Sequence, residues 1–252
     1  MRKLFDGISK LSSVCVVIPT YNEADNLASL VVRIFDLNID GLRLIIVDDS
    51  SPDGTGELAR SLSLEYENEI KVISRSSKEG LGTAYKEGFG FALSTDCNFV
   101  IQMDADLSHR PEYIPEMLEL LKKYDVVVGS RYVDGGVTDQ GWSRSRSILS
   151  GVGNFGIKLV AGINVNDATS GFKAFRISSL NVIPWENIRC KGFGFQAEVA
   201  FHCQRLKQSV HEMPIIFDDR LIGQSKMSMG IVVEAMFRMI LLRIFGSSGF
   251  QK

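Results

Sequence analysis

Short apolar, β-branched runs alternate along this chain with longer stretches in which apolar residues recur at helical spacing. Val14-Cys15-Val16-Val17-Ile18 is apolar at every position and stops at Pro19, the pattern of a strand buried on both faces of a parallel sheet. Leu27, Leu30, Val31, Ile34 and Leu37 then fall three and four apart, which predicts a helix with one apolar face. A second strand is predicted over 42–47. It runs into Asp48-Asp49-Ser50-Ser51-Pro52-Asp53-Gly54, whose turn-forming residues mark a loop. The alternation continues with a helix over 56–64, a strand over 70–74, a helix over 80–91 and a strand over 99–103. A helix over 111–124 and a strand over 126–129 follow. Such an order predicts an α/β fold with a mainly parallel central sheet flanked by helices. In sheets of this kind ligands gather at the carboxyl ends of the strands. The polar clusters fall there: Pro19-Thr20-Tyr21-Asn22-Glu23, Asp48-Asp49 and Asp104-Ala105-Asp106.

Beyond Arg131 the pattern is less regular. Ile148, Val152, Phe155 and Leu159 form an amphipathic helical stripe, weakened by Gly151, Gly153 and Gly156. A second helical run over 231–245 is interrupted by Glu234, Arg238 and Arg243, and is too short and too charged to span a bilayer comfortably. Each helix either packs into the core or lies at a membrane interface, and the second could instead dock on a membrane partner. Residues 1–13 lack the apolar stretch of a secretory signal, and no long uncharged apolar run predicts a spanning helix elsewhere.

Composition narrows the class. With 252 residues, 45% of them apolar, the chain can bury one large core, with at most a small appendage. A net charge of −2 gives no reason to expect nucleic acid as a partner. The charge is uneven, however. Arg144, Arg146, Lys158, Lys173 and Arg176 face a single acid, Asp167, and the segment from Arg220 to Lys252 is basic apart from Glu234. That is either a solvated face or the footprint of an anionic partner. Cys15, Cys97, Cys190 and Cys203 form no CxxC pair and read as reduced thiols of a cytosolic protein. His109, His202 and His211 show no metal-ligand spacing.

The candidate chemistry lies in Asp104-Ala105-Asp106, directly after an apolar run. Carboxylates are costly to bury unless they are paired or hold a cation. Side chains two apart in an extended segment project to the same side. Together they suit one hard divalent ion, and such ions take oxygen ligands and bridge to phosphates. A solvated acidic loop would explain DxD alone equally well. The ordered set of PTYNE, DDSSPDGT and DADLSH, each at a predicted strand end, favours a phosphate-bearing substrate handled through Mg²⁺ or Mn²⁺.

These motifs resemble family 2 glycosyltransferases of GT-A fold. Within them the chain is similar to the dolichyl- or polyprenyl-phosphate mannosyltransferases, over roughly Val14 to Met229. The segments that narrow the match are Val47 to Thr55, Met103 to His109, Gly129-Ser130-Arg131-Tyr132, Ser170-Gly171-Phe172, Gly194 to Glu198, and Arg220 through Gly223-Gln224-Ser225-Lys226. The resemblance implies a catalytic domain over 1–230, with a nucleotide-sugar half at 14–131 and an acceptor-side half at 132–230, then an amphipathic tail at 231–252. It implies that Pro19, Tyr21, Glu23, Val47 and Asp49 surround the nucleoside, with Ala105 nearby. Asp104 and Asp106 would hold the metal, with Ser108 as a third oxygen, although many relatives have Gln at that position. Arg131, Arg146 and Arg220 match positions that face phosphates, and Lys226 would lie on the donor diphosphate. Arg144 rivals Arg146, because the spacing from Arg131 fits Arg146 only with a one-residue insertion. Asp104, Asp106, Arg131 and Arg146 would then carry the catalysis.

The implied reaction transfers mannose from GDP-mannose to a polyprenyl or dolichyl monophosphate with inversion. A lipid phosphate is already largely ionised at neutral pH, its second pKa being about 6, so no general base is needed. The implied partners are the two substrates and a membrane surface; since the chain stops at Lys252 without spanning helices, it resembles either the relatives that borrow them from small membrane-anchoring subunits or a free peripheral enzyme. The implied location is peripheral, on the cytoplasmic side of a membrane. A glucose donor or a sugar-hydroxyl acceptor is the nearest alternative, but the QxxRW-like segment of hydroxyl-transferring polymer synthases is missing. A non-catalytic nucleotide-sugar-binding subunit would be expected to have degraded metal ligands, whereas both aspartates are present. A nucleotidyltransferase would carry a glycine-rich loop where this chain has Pro19-Thr20-Tyr21-Asn22-Glu23.

Overall fold

The computed structural model describes residues 13–138, 144–190, 192, 194–218 and 229–245, without the side chains of 144–149, 229–235 and 245. Strand β1 (Val14–Thr20) leads into α1 (Ala24–Phe35), β2 (Leu42–Asp48), α2 (Thr55–Glu65), β3 (Ile70–Ser74), α3 (Leu81–Leu93) and β4 (Phe99–Gln102). There follow α4 (Ile114–Leu120), β5 (Val126–Ser130), β6 (Val137–Thr138), α5 (Arg144–Ala161), β7 (Lys173–Arg176) and α6 (Ile177–Asn181). The chain continues with α7 (Gly194–Arg205), β8 (Val210–Pro214), β9 (Ile216–Phe217) and α8 (Met229–Phe245).

Seven strands form one sheet in the order β3-β2-β1-β4-β7-β5-β8. The pairs of β1 with β2 and β4, of β2 with β3, and of β5 with β8 are parallel. β7 runs antiparallel between β4 and β5, so strands from both sides of Arg131 share the sheet. The continuous apolar runs follow from burial on both faces. Val14, Val16 and Ile18 pack with Leu44 and Ile46 beneath α1, while Cys15 and Val17 pack with Ile45 and Val47 toward α3. Gly88 lets α3 approach the sheet: a Cβ there would run into Val17 Cγ1. Register puts Thr20 opposite Asp48 and Val17 opposite Gln102. The loops after β1, β2 and β4 therefore emerge side by side at the carboxyl edge.

The predicted elements up to 131 form, with shifted ends. The predicted helix over 111–124 is a 3₁₀ turn at Pro111–Tyr113 followed by the short α4. The second half adds β7, α6, α7 and β8, which the apolar pattern did not reveal. α7 is buried all round from Gly194 to Cys203 and so has no polar face to set a helical period. α8 packs on α5 and α7. Cys15, Cys97 and Cys203 are buried and Cys190 half-buried, all as free thiols.

Candidate active site

The loop that leaves β4 turns sharply, with Leu107 at φ 62°. Its conformation is held from within and from three other segments. Ser108 donates its N–H to Asp106 Oδ1 at 3.1 Å, and its hydroxyl to the same oxygen. His109 Nδ1 accepts the Asp104 N–H at 3.2 Å, so its ring proton lies on Nε2. The imidazole stacks on Phe172 at 5.1 Å and meets the edge of Phe217, and burial pushes its pKa below the usual histidine value. From α3, the Tyr85 hydroxyl donates to Asp104 Oδ1 at 2.7 Å; burial, reinforced by the Asp104 charge, raises the pKa of the phenol. From the segment before β7, Gly171 lies against the other oxygen. A Cβ there would sit 2.8 Å from Asp104 Oδ2 and 3.2 Å from His109 Cε1, which accounts for the glycine in Ser170-Gly171-Phe172.

The loops after β1 and β2 are cross-braced. Asp53 accepts the Ala24 N–H at 3.1 Å and the Thr55 hydroxyl at 2.6 Å, and Thr55 accepts the Glu23 N–H at 2.9 Å. Asn26 donates to Glu23 Oε2 at 2.9 Å. Asp49 is already engaged: it accepts Arg75 at 2.8 Å and the N–H groups of Glu79 and Gly80, fixing the start of α3. Tyr21 lies under Lys78, whose Nζ is 3.5 Å from the ring centroid. Nothing in the sequence marks Lys78, because a lone lysine in a loop carries no pattern. Pro19 and Val47 face each other across β1 and β2. The side chains of Val47 and Ala105 are buried in the core, so these two can offer a ligand only their backbone.

Across the site, Arg131 at the end of β5 forms a two-pronged ion pair with Asp167. Nε reaches Oδ2 and Nη2 reaches Oδ1, both at 2.8 Å, while the Arg131 N–H adds a third bond to Oδ2 at 3.1 Å. Nη2 also donates to Thr169 at 3.0 Å. The side chains are 7% and 0% exposed. Burial opposes both charges, but each charge and its hydrogen bonds stabilise the other: the Arg131 pKa is raised and that of Asp167 lowered. Nη1 is left without a hydrogen-bond partner among the described residues. Asp167 is positioned in turn by its N–H donating to Glu212 at 2.9 Å. Behind it, Lys173 is fully buried. Its Nζ bonds the Ser170 carbonyl and, at 2.7 Å, Gln196 Oε1, which also accepts Gln102 Nε2 at 2.6 Å. Desolvation lowers the Lys173 pKa to about 8.

The structure thus brings Asp104, Asp106 and Ser108 together, with Arg131 tied through Asp167 and Thr169 to the segment that carries Gly171. Arg146 lies in the first turn of α5, but its side chain, like that of Arg144, is outside the described residues, as are Arg220 and Lys226. The chain entering that segment is anchored at the acidic loop. Asp218 donates its N–H to the Ser108 carbonyl at 3.1 Å, and Arg110 grips its carboxylate with two bonds of 2.6 Å. Asp104 and Asp106 form an oxygen-only donor set, and no cluster of three or more His, Cys, Asp or Glu exists among the described residues. A cation held there would complete its shell with oxygens from a ligand or water, which suits Mg²⁺ or Mn²⁺ on a diphosphate.

The family model for glycosyl transferase family 2 matches residues 15–183. The chain is a family 2 glycosyltransferase. This glycosyltransferase is 40% identical over 222 residues to the undecaprenyl-phosphate mannosyltransferase of Micrococcus luteus, covering 88% of the chain and 90% of the relative. It is 39% identical over 224 residues to the polyprenol monophosphomannose synthase of Mycolicibacterium smegmatis, covering 88% and 84%. Among solved structures it resembles glucosyl-3-phosphoglycerate synthase from Mycobacterium tuberculosis in complex with Mn²⁺, UDP and glucosyl-3-phosphoglycerate. There the TM-score is 0.64 at 19% identity, over 96% of the chain and 81% of that protein. Mannosyl-3-phosphoglycerate synthase from Rubrobacter xylanophilus gives 0.62 at 17% identity, over 96% and 76%. At these identities the likeness is one of fold, and the fold is GT-A.

Proposed function

We propose that this glycosyltransferase moves mannose from GDP-mannose to the phosphate of a polyprenyl monophosphate, with inversion. The observation that carries the reading is the Asp104-Asp106 turn facing the Gly171 segment, in a chain about 40% identical to two polyprenyl-phosphate mannosyltransferases. Asp104 and Asp106 would hold Mg²⁺ or Mn²⁺, with Ser108 fixing the Asp106 carboxylate from within the turn. The ion, when bound, would supply positive charge to a leaving nucleoside diphosphate. Tyr21 and Lys78 offer the nucleoside a ring face and a cation. Arg131, half neutralised by Asp167, presents Nη1 to a phosphate without carrying a full uncompensated charge into the interior. Arg146, Arg220 and Lys226 are proposed as further phosphate contacts. The acceptor oxygen is already anionic, so the site needs positioning groups rather than a base.

A transfer assay with labelled nucleotide-sugars and a short polyprenyl phosphate tests the donor. GDP-mannose is expected to be turned over at least about tenfold faster than UDP-glucose, a gap that one or two well-placed polar contacts supply. Faster turnover of UDP-glucose would assign the enzyme to glucosyl transfer.

The acceptor's tail ties the reaction to a bilayer, and we propose that the enzyme binds a membrane surface peripherally. Val152, Phe155 and Leu159 on α5 are 64%, 65% and 65% exposed, so this stripe is not core. α8 packs beside it through Gly156 and Met236, and Arg243 donates to the carbonyls of Leu159 and Val160 at 2.9 and 3.1 Å. Phe237, Ile240 and Ile244 of α8 are exposed as well. No helix among the described residues is long and apolar enough to cross a membrane. Lys158 and Arg243 beside these apolar residues suit an anionic surface, where each basic residue contributes about 1 kcal/mol. Flotation with anionic liposomes is expected to carry the protein up, less so as salt screens the charges. Phe155→Asp together with Phe237→Asp should abolish flotation while leaving transfer to a short water-soluble acceptor intact.

A further inference from the structure

The Tyr85 ring is fully buried on α3, stacked against Phe89 at 5.6 Å and Phe195 at 5.9 Å. α3 and α7 meet there with little slack. A Cβ on Gly82 would sit 2.6 Å from the Cys190 carbonyl oxygen and 2.8 Å from Phe195 Cδ2. The ring is therefore pinned on both sides, and only its hydroxyl reaches the site, 2.7 Å from Asp104 Oδ1. The other carboxylate oxygen lies against Gly171, and the Asp104 N–H is held by His109. No lysine or arginine among the described residues forms an ion pair with Asp104.

We infer that Tyr85 is a positioning residue: its hydroxyl sets the orientation of the Asp104 carboxylate and thereby the affinity of the site for its divalent ion. The inference rests on the metal role proposed above for Asp104. The choice of donor has a physical reason. A lysine or arginine here would fix the carboxylate but cancel its charge and compete with the cation. A phenol fixes the rotamer and leaves the charge in place. Because the ring is locked by stacking, the hydroxyl adds little side-chain entropy cost when it holds the carboxylate. Partners of this outer kind typically change metal affinity by about 10–100-fold when removed.

The test is Mn²⁺ titration of the full chain in the presence of GDP, following the free-ion electron paramagnetic resonance signal. Wild type, Tyr85→Phe, Asp104→Asn and the double variant are compared. Tyr85→Phe keeps the stacked ring, so its metal-free melting temperature should stay close to wild type. Its Mn²⁺ affinity should fall about tenfold or more. The metal concentration for half-maximal transfer should rise by the same factor, and saturating Mn²⁺ should restore most of kcat. The double variant should bind no more weakly than Asp104→Asn alone, because Tyr85 acts through that carboxylate. Tyr85→Met, which fills much of the ring's volume and carries no donor, serves as the second variant if Tyr85→Phe does not fold, with the same fall in affinity expected. Unchanged Mn²⁺ affinity in Tyr85→Phe, with Asp104→Asn impaired, would overturn the inference and leave Tyr85 as core filling. Absence of Mn²⁺ binding by wild type would remove the metal reading and this inference with it.

Discussion

Replacing Asp104 or Asp106 with asparagine is expected to lower transfer by on the order of 10³-fold, the scale at which enzymes lose rate when a stabiliser of developing charge is removed. The loop after β4 should still form in either variant. An asparagine Oδ1 can accept the Tyr85 hydroxyl at position 104, and at position 106 it can accept the two Ser108 donors. Melting curves of the metal-free variants should therefore lie near wild type. What is lost is one negative charge of the acidic pair, which at position 104 lies against Gly171, and with it the cation binding proposed for the pair. The comparison is made in the transfer assay with Mg²⁺ and Mn²⁺, and with a chelator added to wild type. Full activity in chelator, or in either variant, would show that the aspartates serve only to shape the loop.

Removal of Arg131 is expected to cost the enzyme both stability and turnover. On sequence alone, Arg131→Ala removes one charge-assisted phosphate contact, about 1.5–3 kcal/mol of binding, with little change in melting. The structure changes the second half of that expectation. Asp167 is fully buried, and its carboxylate is matched by the Arg131 guanidinium and N–H. Breaking one side of such a pair typically costs about 3–5 kcal/mol, because the remaining charge is left in the interior. For a chain of this size that corresponds to a fall in melting temperature of roughly 10 °C. The double variant Arg131→Ala with Asp167→Ala removes both charges and should recover part of the stability. Transfer should stay low in the double variant, since the phosphate contact proposed for Nη1 is gone. Calorimetry and the transfer assay together separate the two roles. A double variant that transfers at the wild-type rate would leave Arg131 with a structural role only, and a single variant that melts normally would contradict the ion pair.

Much of the architecture up to Arg131 is legible in the sequence, because it depends on local period. The β1, β2 and β4 runs are apolar at nearly every position since both faces of those strands are covered. The strands end at Thr20, Asp48 and Gln102, within two residues of Pro19, Asp48 and Asp104 where the apolar runs stop, so the line of loops at the carboxyl edge is legible in the sequence. The acidic pair of the DADLSH loop is local in the same sense. Its two carboxylates are neighbours in the chain whatever the rest of the fold does.

What the tertiary structure decided is every feature made by distant partners. β7 contains Lys173, whose charge breaks the apolar run; it is a strand because β4 and β5 flank it and Gln196 and Ser170 receive its ammonium. α7 shows no amphipathic period because all its sides are covered. The stripe on α5 could equally have been core or surface, and the packing of α8 beside it left Val152, Phe155 and Leu159 outside. Tyr85 reads in sequence as one more aromatic on a helix, and Asp167 as a lone acid in a basic stretch. Only long-range packing sets the first beside Asp104 and the second beside Arg131. A sequence displays periodicity because neighbouring residues share one backbone geometry. It cannot display pairings between segments, whose closeness is fixed by the burial of the whole sheet.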